Sequence, residues 1–578
     1  MAAGLFSSAN VPEKKKTIFT LTGGHIAPIL TASEELGIRV VDVRHEATAA
    51  FAADAMSRTT GLPGVCVVTA GPGLSNTITA VKNAQMAQSP LILLGGATSD
   101  LLKGRGSLQD IDQFALLAPH TKWMGHVSRV ADIVPMLEEA FYRAREGVPG
   151  PVFLEFPLDV LYKRKETTAQ FEKDKPKGPG LFNAVARWYI GRHVTHIFSD
   201  IARIQLHKPI PVPLAIAAGW QVAQAAKMLG GAKKPVLLIG AQAVMMPELT
   251  KGLVDAVTAL GAPVWLSSCG RGLLGANHSL QFRHARGEAL KEADVVLLAG
   301  VVMDFRLQYG LGIRGHTRII SINLDKSDLY KNRSPTLAIL ADPAKAIAQI
   351  GEVLRAGKHD AQQFGGWLAE CRAREEKRDQ QIAGMAKEKN ELINPVHLCQ
   401  EIEKAMGPDA LIVADGGDIV GTFAYNVKPR GPRKWLDPGP FGTLGVGGGF
   451  ALGAGCAHPG QELWIIWGDG ACGFSIAEFD TFVRHKIPLI AIVGNDACWT
   501  QIVRDQVRFL GRATGGMLTY QNYDQVAKGF GGEGILVRAP EDVAPALAQA
   551  KQLFHEGKSV LVNCLLGRSN FREGSLSM

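Results

Sequence analysis

Acidic residues follow two apolar segments of the sequence, at the point where each segment ends in a turn. Asp469 lies between Gly468 and Gly470 after the apolar run 463–467, and Asp496 follows the run 487–494. We expect both runs to be buried strands whose ends each supply an oxygen ligand. Mg²⁺ binds one or two carboxylates and fills its remaining positions with phosphate oxygens and water. The pattern therefore predicts a magnesium site that also holds a diphosphate.

Four further motifs occur where a predicted strand gives way to a helix. One carries a glutamate, two contain glycine-rich turns, and one leads into a glycine-rich helix. Free backbone N–H groups at helix N-termini favour phosphate, which makes Gly470 and Ala471 candidates to bind the diphosphate. The motifs are Val43-Arg44-His45-Glu46, residues 69–76, Asp415-Gly416-Gly417-Asp418 and residues 440–445.

Apolar β-branched segments alternate with helix-length segments along most of the 578 residues, which is too long a chain for one core. This alternation indicates an α/β fold of three doubly wound domains, each with a parallel sheet. The predicted regions are an N-terminal domain at 1–163, a linker at 164–212, a central domain at 213–358, a charged helical linker at 359–391, and a C-terminal domain at 392–578. The predicted strands are 17–22, 39–42, 64–69, 91–95, 152–155, 235–239, 264–266, 295–298, 318–322, 410–414, 463–467, 487–494 and 560–565.

The composition excludes several classes of protein. The net charge is +8, but basic and aromatic residues are not concentrated into one face, so we expect no nucleic-acid partner. No apolar segment is long enough to span a bilayer, and the N-terminus has no signal-peptide core. The eight cysteines are scattered without metal-ligand spacing, which predicts an intracellular protein with reduced thiols.

Residues 181–204 depart from the α/β pattern. They carry Trp188 and Tyr189, mixed with Arg187 and Arg192, at helical spacing. Our preferred interpretation is a helix that packs across the back of the first domain. The alternative is an interfacial amphipathic helix that gives peripheral membrane contact.

Together these motifs resemble those of thiamine-diphosphate-dependent enzymes over nearly the whole chain. The similarity is greatest to the acetolactate-synthase-like proteins that are grouped with the 2-hydroxyacyl-CoA lyases. The segments that carry it include 81–90 (VKNAQMAQSP), 435–445 (WLDPGPFGTLG) and 478–488 (EFDTFVRHKIP).

The resemblance implies thiamine diphosphate and Mg²⁺ as cofactors. Glu46 matches the glutamate that hydrogen-bonds ring N1′ of the cofactor, and Leu444 matches the bulky residue that holds the cofactor bent. The Asp469 and Asp496 side chains and the Cys498 backbone carbonyl match the metal ligands, although the family usually has asparagine at the position of Asp496. The other implied cofactor-binding positions are Gly71, Asp415, Gly416, Gly417, Asp418, Gly442, Thr443, Gly470 and Ala471.

Three residues match positions near the substrate in the family: His25, Gln109 and Gln501. We expect them to be catalytic, together with Glu46. In the central domain, residues 299–300 and 323–325 close neighbouring predicted strands, and crevices at such strand ends bind nucleotides. That crevice suits the ADP part of CoA, or the FAD of acetolactate synthases.

The resemblance implies a lyase that cleaves a 2-hydroxyacyl-CoA into formyl-CoA and a one-carbon-shorter aldehyde, a reaction of fatty acid α-oxidation. One alternative is an acetolactate-synthase-like carboligase acting on pyruvate or other 2-oxo acids. A second is a catalytically weak member of the family, which Asp496 and the short N-terminal segment 1–15 both favour. The resemblance also implies a homodimer or homotetramer with active sites at the subunit interface. It implies an endoplasmic-reticulum membrane location, although residues 1–15 are too short and polar for an anchor, and the location is otherwise cytoplasmic.

Overall fold

The computed structural model describes residues 16–173 and 178–574, which divide into two compact units. The first unit comprises Met1–Ser57 and Leu62–Val212, and the second comprises Arg58–Gly61 and Pro213–Met578. In the described residues, the strands form three parallel sheets of six strands each. This arrangement confirms the α/β fold class. The prediction about residues 1–15 lies outside the described residues.

The first unit is built on a sheet with the strand order β2-β1-β3-β4-β6-β5. Its central strands are buried throughout, because helices cover both faces of a parallel sheet. The strands are β1 (Thr17–Leu21), β2 (Arg39–Asp42), β3 (Gly64–Val68), β4 (Leu91–Ala97), β5 (Trp123–His126) and β6 (Val152–Pro157). The helices are α1 (Ala27–Glu35), α2 (Glu46–Thr60), α3 (Pro72–Ser75), α4 (Ile78–Met86), α5 (Gln113–Leu117), α6 (Ile133–Arg145), α7 (Leu158–Leu161), α8 (Arg164–Lys173) and α9 (Leu181–Ile197).

The second unit begins with a sheet of order β12-β11-β10-β7-β8-β9. The chain starts in the middle of this sheet and extends first to one side and then to the other, as in dinucleotide-binding folds. The strands are β7 (Pro235–Ile239), β8 (Val264–Leu266), β9 (Gln281–Phe282), β10 (Val295–Ala299), β11 (Arg318–Asn323) and β12 (Leu337–Leu340). The helices are α10 (Gly219–Gly230), α11 (Thr250–Leu260), α12 (Arg286–Glu292), α13 (Lys326–Leu329), α14 (Pro343–Ala356) and α15 (Gly365–Met385).

The third sheet has the order β14-β13-β15-β16-β18-β17, which is the order of the first sheet with twelve added to each strand number. The strands are β13 (Leu411–Asp415), β14 (Trp435–Leu436), β15 (Leu463–Gly468), β16 (Leu489–Asn495), β17 (Glu533–Val537) and β18 (Ser559–Leu565). The helices are α16 (Pro395–Ala405), α17 (Asp418–Asn426), α18 (Val446–Ala457), α19 (Asp469–Ser475), α20 (Phe479–Arg484), α21 (Thr500–Leu510), α22 (Tyr523–Gly529) and α23 (Val543–His555).

Five strands were not predicted from the sequence, and all five lie at sheet edges. They are β5, β9, β12, β14 and β17. An edge strand has one neighbour and can remain partly exposed, so its sequence need not be a continuous apolar run. Two of these strands are only two residues long. The predicted strands all occur in the sheets, with ends that differ by one or two residues.

Candidate active site

Glu46 is the first residue of α2, and its side chain is buried in the first unit with 7% of its surface exposed. Its Oε2 accepts a hydrogen bond of 2.9 Å from Nδ2 of Asn76, which follows helix α3. The structure therefore brings together two of the predicted motifs, 43–46 and 69–76. A side chain at Gly73 would begin 3.7 Å from Oε1 of Glu46, so the glycine keeps space beside the carboxylate.

Thr69 joins two of the predicted catalytic residues. Its Oγ1 lies 3.2 Å from Nδ1 of His25 and 3.5 Å from Oε1 of Gln109. Burial lowers the pKa of His25, and this effect outweighs the hydrogen bond to Gln109, which raises it. The imidazole is therefore held in its neutral form near pH 7, when it can both donate and accept a hydrogen bond.

The glycine turn at Gly71 is fixed by its neighbours. Gly71 has a φ of +62°, and an added Cβ would lie 2.7 Å from the carbonyl oxygen of Gln109. Its N–H donates to Oε1 of Gln113 at 3.4 Å, and Nε2 of Gln113 donates to Oε1 of Glu155 at 2.7 Å. The backbone beside Gln109 is therefore held by a chain of hydrogen bonds that ends on a buried carboxylate.

That buried carboxylate, Glu155, has cationic partners. It accepts hydrogen bonds from Nδ1 of His126 at 2.8 Å and from Nζ of Lys103 at 3.0 Å. Burial alone would raise the pKa of Glu155, but the hydrogen bonds from His126, Gln113 and Lys103 outweigh it and lower the pKa. The pKa of His126 rises to about 9, because of hydrogen bonds to Asp100 and to Glu155.

The two predicted metal-binding carboxylates in the second unit have a different environment. Asp469 opens α19 after β15, and its oxygens accept backbone N–H groups of Gly470 at 2.8 Å and Cys498 at 3.3 Å. Asp496 follows β16 and accepts a short hydrogen bond from the Thr500 hydroxyl. In the part of the chain that the structure describes, neither carboxylate has a cationic side chain as a partner.

The electrostatics of this pair fit a bound cation. Burial raises the pKa of both Asp469 and Asp496, that of Asp496 to about 7, and the negative charge of Asp469 raises the pKa of Asp496 further. A divalent ion would offset both the burial and the mutual repulsion. Two side-chain oxygens and a backbone carbonyl such as that of Cys498 would leave positions for diphosphate oxygens, as Mg²⁺ requires.

Asp415 lies behind the glycine-rich helix α18. It is fully buried, and its oxygens accept the N–H groups of Gly445 at 3.1 Å and Gly447 at 2.8 Å, and that of the Trp467 indole at 3.2 Å. Burial raises its pKa to about 7, although these bonds oppose the rise. Two of its three observed hydrogen bonds therefore position the start of α18, and the third joins it to the Trp467 indole of β15.

Asp418 and Gln501 lie at the ends of the helices near Asp496. The Asp418 carboxylate pairs with Arg504 of α21 at 2.7 Å, and its charge contributes to the raised pKa of Asp496. A Cβ at Gly417 would lie 2.9 Å from Oε1 of Gln501, so the glutamine side chain lies over the glycine turn 416–417. The structure therefore brings Gly416, Gly417, Asp418 and Gln501 to the same end of the sheet as the acidic pair.

The segment before α18 is more open. Gly442 has a φ of +66° with no atom within 4 Å of the position of a Cβ, whereas a Cβ at Gly445 would meet the Phe474 side chain at 2.9 Å. Leu444 and Thr443 are partly buried. At the start of α19, a Cβ at Gly470 would meet the Trp499 ring at 2.3 Å, so only glycine fits between Asp469 and Ala471.

A cavity of about 850 Å³ lies in the second unit, outside the acidic pair. Its lining includes eight cationic residues and one acidic residue, Glu288, together with aromatic side chains such as Tyr425. Burial lowers the pKa of both Arg271 and Arg286, and further arginines nearby lower it more. The cationic residues are Arg271, Arg283, Arg286, Lys291, Arg306, Arg374, Lys377 and Arg378.

One cluster beside this cavity has the composition of a metal site, namely His284, Glu375 and Asp379. Its charges are already compensated by Arg283, which donates to Asp379 at 2.7 Å and lies 3.4 Å from Glu375. Glu375 also accepts the backbone N–H groups of residues 283 and 284. The cluster therefore stabilises the turn after β9 without needing an ion.

The nucleotide crevice predicted at residues 299–300 and 323–325 is partly filled by protein. Asn323 is buried and accepts a hydrogen bond of 3.0 Å from Gln242, and Asp325 caps α13 through the N–H of Ser327 at 2.7 Å. The cationic cavity lies instead beside β8, β9 and α12. A nucleotide at residues 323–325 remains a prediction.

Sequence reasoning missed several residues that hold the site together. Thr69 and Asn76 lay within a recognised motif, but no local pattern showed that they contact His25 and Glu46. No sequence pattern indicated the contacts made by Gln113, Glu155 and His126, because these contacts join elements far apart in the chain. The same holds for Tyr523, whose hydroxyl donates to the Asp469 carbonyl at 3.0 Å.

Three protein-family models match successive parts of the chain. The thiamine pyrophosphate enzyme N-terminal TPP binding domain matches residues 10–116, the central domain matches 222–350, and the C-terminal TPP binding domain matches 415–564. The chain belongs to the thiamine pyrophosphate enzyme family. Glu46 and Gly71 lie in the first match, and the acidic pair lies in the last.

Curated relatives of this family cover most of the chain. A 2-hydroxyacyl-CoA lyase 2 of Danio rerio is 46% identical over 571 residues, which are 97% of this chain and 91% of the relative. A 2-hydroxyacyl-CoA lyase 2 of Bos taurus is 48% identical over 568 residues, 97% of this chain and 89% of the relative. A probable acetolactate synthase of Mycobacterium bovis is 33% identical over 551 residues, 95% of this chain and 92% of the relative.

Two further predictions concern compartment and membrane. All eight cysteines are buried free thiols in the structure, so their arrangement agrees with the expected absence of a disulfide framework. In the described ranges, none of the helices has both the length and the apolar character needed to cross a bilayer.

Proposed function

We propose that this protein is a thiamine-diphosphate-dependent lyase that cleaves a 2-hydroxyacyl-CoA into formyl-CoA and an aldehyde one carbon shorter. Membership of the thiamine pyrophosphate enzyme family supports thiamine diphosphate as the cofactor. The observation that carries the choice of substrate is the cationic cavity of the second unit, and the names of the relatives with 46–48% identity agree with it.

The cavity suits a polyanion much larger than a 2-oxo acid. Among the described residues, neither Arg271 nor Arg286 forms an ion pair, and both are held at a lowered pKa by burial and by other arginines. Guanidinium groups bind phosphate through paired N–H donors. Coenzyme A carries a diphosphate and a 3′-phosphate, and the cavity volume lies within the range of ligand sites. Pyruvate carries only a single carboxylate, so it needs far fewer cations and far less space than this cavity offers.

In the proposed reaction, the bond between C1 and C2 of the acyl group breaks. The hydroxyl on C2 loses its proton and becomes the aldehyde oxygen, while C1 gains a proton and leaves as formyl-CoA. Bound thiamine diphosphate supplies the carbon nucleophile and accepts the electron pair of the broken bond. The protein positions the reactants and moves the protons.

Glu46 is the residue we assign to the cofactor's ring N1′. Its carboxylate is buried, keeps space beside Oε1, and has Oε2 held by the neutral amide of Asn76. His25 and Gln109 are assigned to the substrate hydroxyl and carbonyl, because the neutral imidazole can accept a proton. Gln501, whose side chain lies over the glycine turn 416–417, is also assigned to the substrate by its position in the family motif.

Asp469, Asp496 and the Cys498 carbonyl are the proposed Mg²⁺ ligands. The buried like charges of the two aspartates support this assignment, because a divalent ion removes their mutual repulsion. Asp496 in place of the usual asparagine is compatible with it, since a carboxylate is a good ligand for Mg²⁺. Gly470, Ala471 and the turn 416–418 would offer backbone N–H groups to the diphosphate.

We also propose a homodimer or homotetramer with active sites at the subunit interface. Helix α21, which begins four residues after Asp496, supports an assembly of this kind. It has no buried residue, and it exposes the apolar side chains of Ile502, Val507, Phe509 and Leu510. A row of exposed apolar side chains on one helix is typical of a surface that a subunit covers.

The test is a turnover assay of the purified protein with thiamine diphosphate and Mg²⁺, offered a 2-hydroxyacyl-CoA, the free 2-hydroxy acid or pyruvate. We expect formyl-CoA and aldehyde from the CoA substrate alone. Arg286→Gln should raise KM for the CoA substrate at least ~10-fold, because it removes a charged hydrogen bond to phosphate. Arg314→Gln, an exposed arginine outside the cavity, is the matched control. Acetolactate formed from pyruvate, with no cleavage of the CoA substrate, would overturn the proposal in favour of the carboligase.

A further inference from the structure

Helix α9 has two apolar faces on opposite sides. Val194 and Ile197 lie on one face and join the core of the first unit, where Nε2 of His193 donates to the Asp159 carboxylate at 3.1 Å. These contacts fix the last turns of the helix against the protein. The helix therefore has a defined orientation, which leaves its other face pointing away from the core.

The second face is exposed. Leu181 is 83% exposed, Phe182 is 81% exposed and Trp188 is 62% exposed, and Val185 and Tyr189 are more than half exposed. Their spacing of one, four, seven and eight residues from Leu181 places them on one side of an α-helix. Five adjacent apolar side chains on one helix face are far more than scattered surface exposure requires.

The segment that contains this face carries a net positive charge. Residues 163–208 contain ten Lys and Arg against four Asp and Glu, so they carry +6 of the chain's net charge of +8. Arg192 follows the apolar side chains along the same face, with its guanidinium 5.6 Å from the centre of the Trp188 ring. A segment of this length with a net charge of +6 is complementary to an anionic surface.

We propose that the exposed face of α9 binds peripherally to an anionic lipid surface. Leu181, Phe182, Val185 and Trp188 enter the boundary between head groups and acyl chains, where aromatic rings are favoured. Arg192 remains among the head groups and contacts lipid phosphate, and the net positive charge of the segment adds a longer-range attraction. A second copy of this chain would bury the apolar face equally well, but it would bring the positive segments of two copies together.

The test uses the full chain and two kinds of vesicle, one of phosphatidylcholine alone and one of equal parts phosphatidylcholine and phosphatidylserine. Flotation should recover the protein with the mixed vesicles and much less with phosphatidylcholine alone, and added salt should weaken the binding. Phe182→Glu with Trp188→Glu should reduce the bound fraction at least ~10-fold, because two large apolar side chains no longer leave water.

Leu311→Glu with Leu340→Glu is the matched control, since both leucines are more than half exposed in the second unit. The control pair should bind vesicles like the unaltered protein. Both double variants should keep the melting temperature and the turnover of the unaltered chain, which separates lost binding from lost folding.

Two results would overturn the proposal. One is equal recovery of the Phe182→Glu/Trp188→Glu protein and the unaltered protein with mixed vesicles. The other is absence of vesicle binding together with a smaller particle mass for the double variant in light scattering. That second result would assign the face to a contact between copies of this chain.

Discussion

The first and third sheets have the same strand order, but the buried carboxylates near the carboxyl ends of their strands have opposite electrostatic environments. In the first unit, Glu155 is surrounded by His126, Lys103 and Gln113, and its pKa is lowered. In the second unit, the described residues place no cationic side chain on Asp469 or Asp496, and the pKa values of both are raised. One sheet end carries a buried carboxylate that the protein itself neutralises, and the other carries two that a bound cation would neutralise. A shared topology therefore does not decide the chemistry, which depends on the residues after the strands.

The largest expected effect is that of changing Glu46 in the first unit, whose carboxylate we assign to acid–base catalysis. Glu46→Gln should lower kcat by ~10²–10⁴-fold, because the amide cannot exchange a proton with ring N1′. Thiamine diphosphate binding and the melting temperature should change little, since the amide keeps the size of the carboxyl. Steady-state turnover with 2-hydroxyacyl-CoA measures the effect. The matched control is Glu35→Gln, an exposed carboxylate at the end of α1, which should leave kcat unchanged.

The next test concerns Asp469 and Asp496, the carboxylates that we expect to bind Mg²⁺. Asp469→Asn and Asp496→Asn should each weaken Mg²⁺ binding in the presence of thiamine diphosphate by about 10–100-fold, because each removes a charged ligand. Without metal, each change should raise the melting temperature, because it removes one of two buried like charges. Isothermal titration and thermal unfolding measure the two effects. A melting temperature that falls for both variants without metal would contradict the repulsion that we infer from the pKa values.

The cluster of Glu155 and His126 in the first unit predicts that the stability of the fold depends on pH. The pKa of His126 is about 9 in the folded protein and about 6.5 when unfolded, so its charge stabilises the fold fully below the lower value. That contribution disappears as the pH rises through about 9. His126→Gln should therefore cost ~1–3 kcal/mol of unfolding free energy at pH 6 and much less above pH 9.5. Denaturant unfolding across this range measures it, and His207→Gln, a more exposed histidine, should show no such convergence with the unaltered protein.

The smallest effect compares two glycines, one in each unit. Gly71 and Gly442 have nearly the same positive φ, but only Gly71 lacks space for a Cβ. Gly442→Ala should cost about 1 kcal/mol through backbone conformation alone. Gly71→Ala should cost more, about 2–3 kcal/mol, because the Gln109 carbonyl must also move. Equal losses in denaturant unfolding would show that the turn at Gly71 adapts freely.

The sequence was sufficient to predict the α/β fold class and the central strands of each sheet. Those strands are continuous apolar runs, and glycine turns mark their ends. It was not sufficient for edge strands such as β5 and β14, because a strand with one neighbour can keep polar or exposed residues.

The candidate site was predictable to a similar extent. Glu46, Asp469 and Asp496 stand beside recognisable turns, so their types and positions were visible in the sequence. Their supports were not, because a hydrogen bond such as that between Gln113 and Glu155 joins positions 42 residues apart. No local periodicity encodes such a pairing. The lowered pKa of Glu155 and the raised pKa values of Asp469 and Asp496 therefore follow only from the contacts that the structure shows.

The buried thiols make the chain a reporter of its own unfolding. Burial raises the pKa of Cys371 and Cys564 to about 12, and raises those of Cys66, Cys399 and Cys472 as well. The thiolate is the form that alkylating reagents attack, so these groups are inert in the folded protein at neutral pH. Rapid labelling of any of these five cysteines by a maleimide therefore marks a molecule, or a region, that has opened. Mass spectrometry of labelled peptides would then follow the opening of each sheet separately, without any added probe.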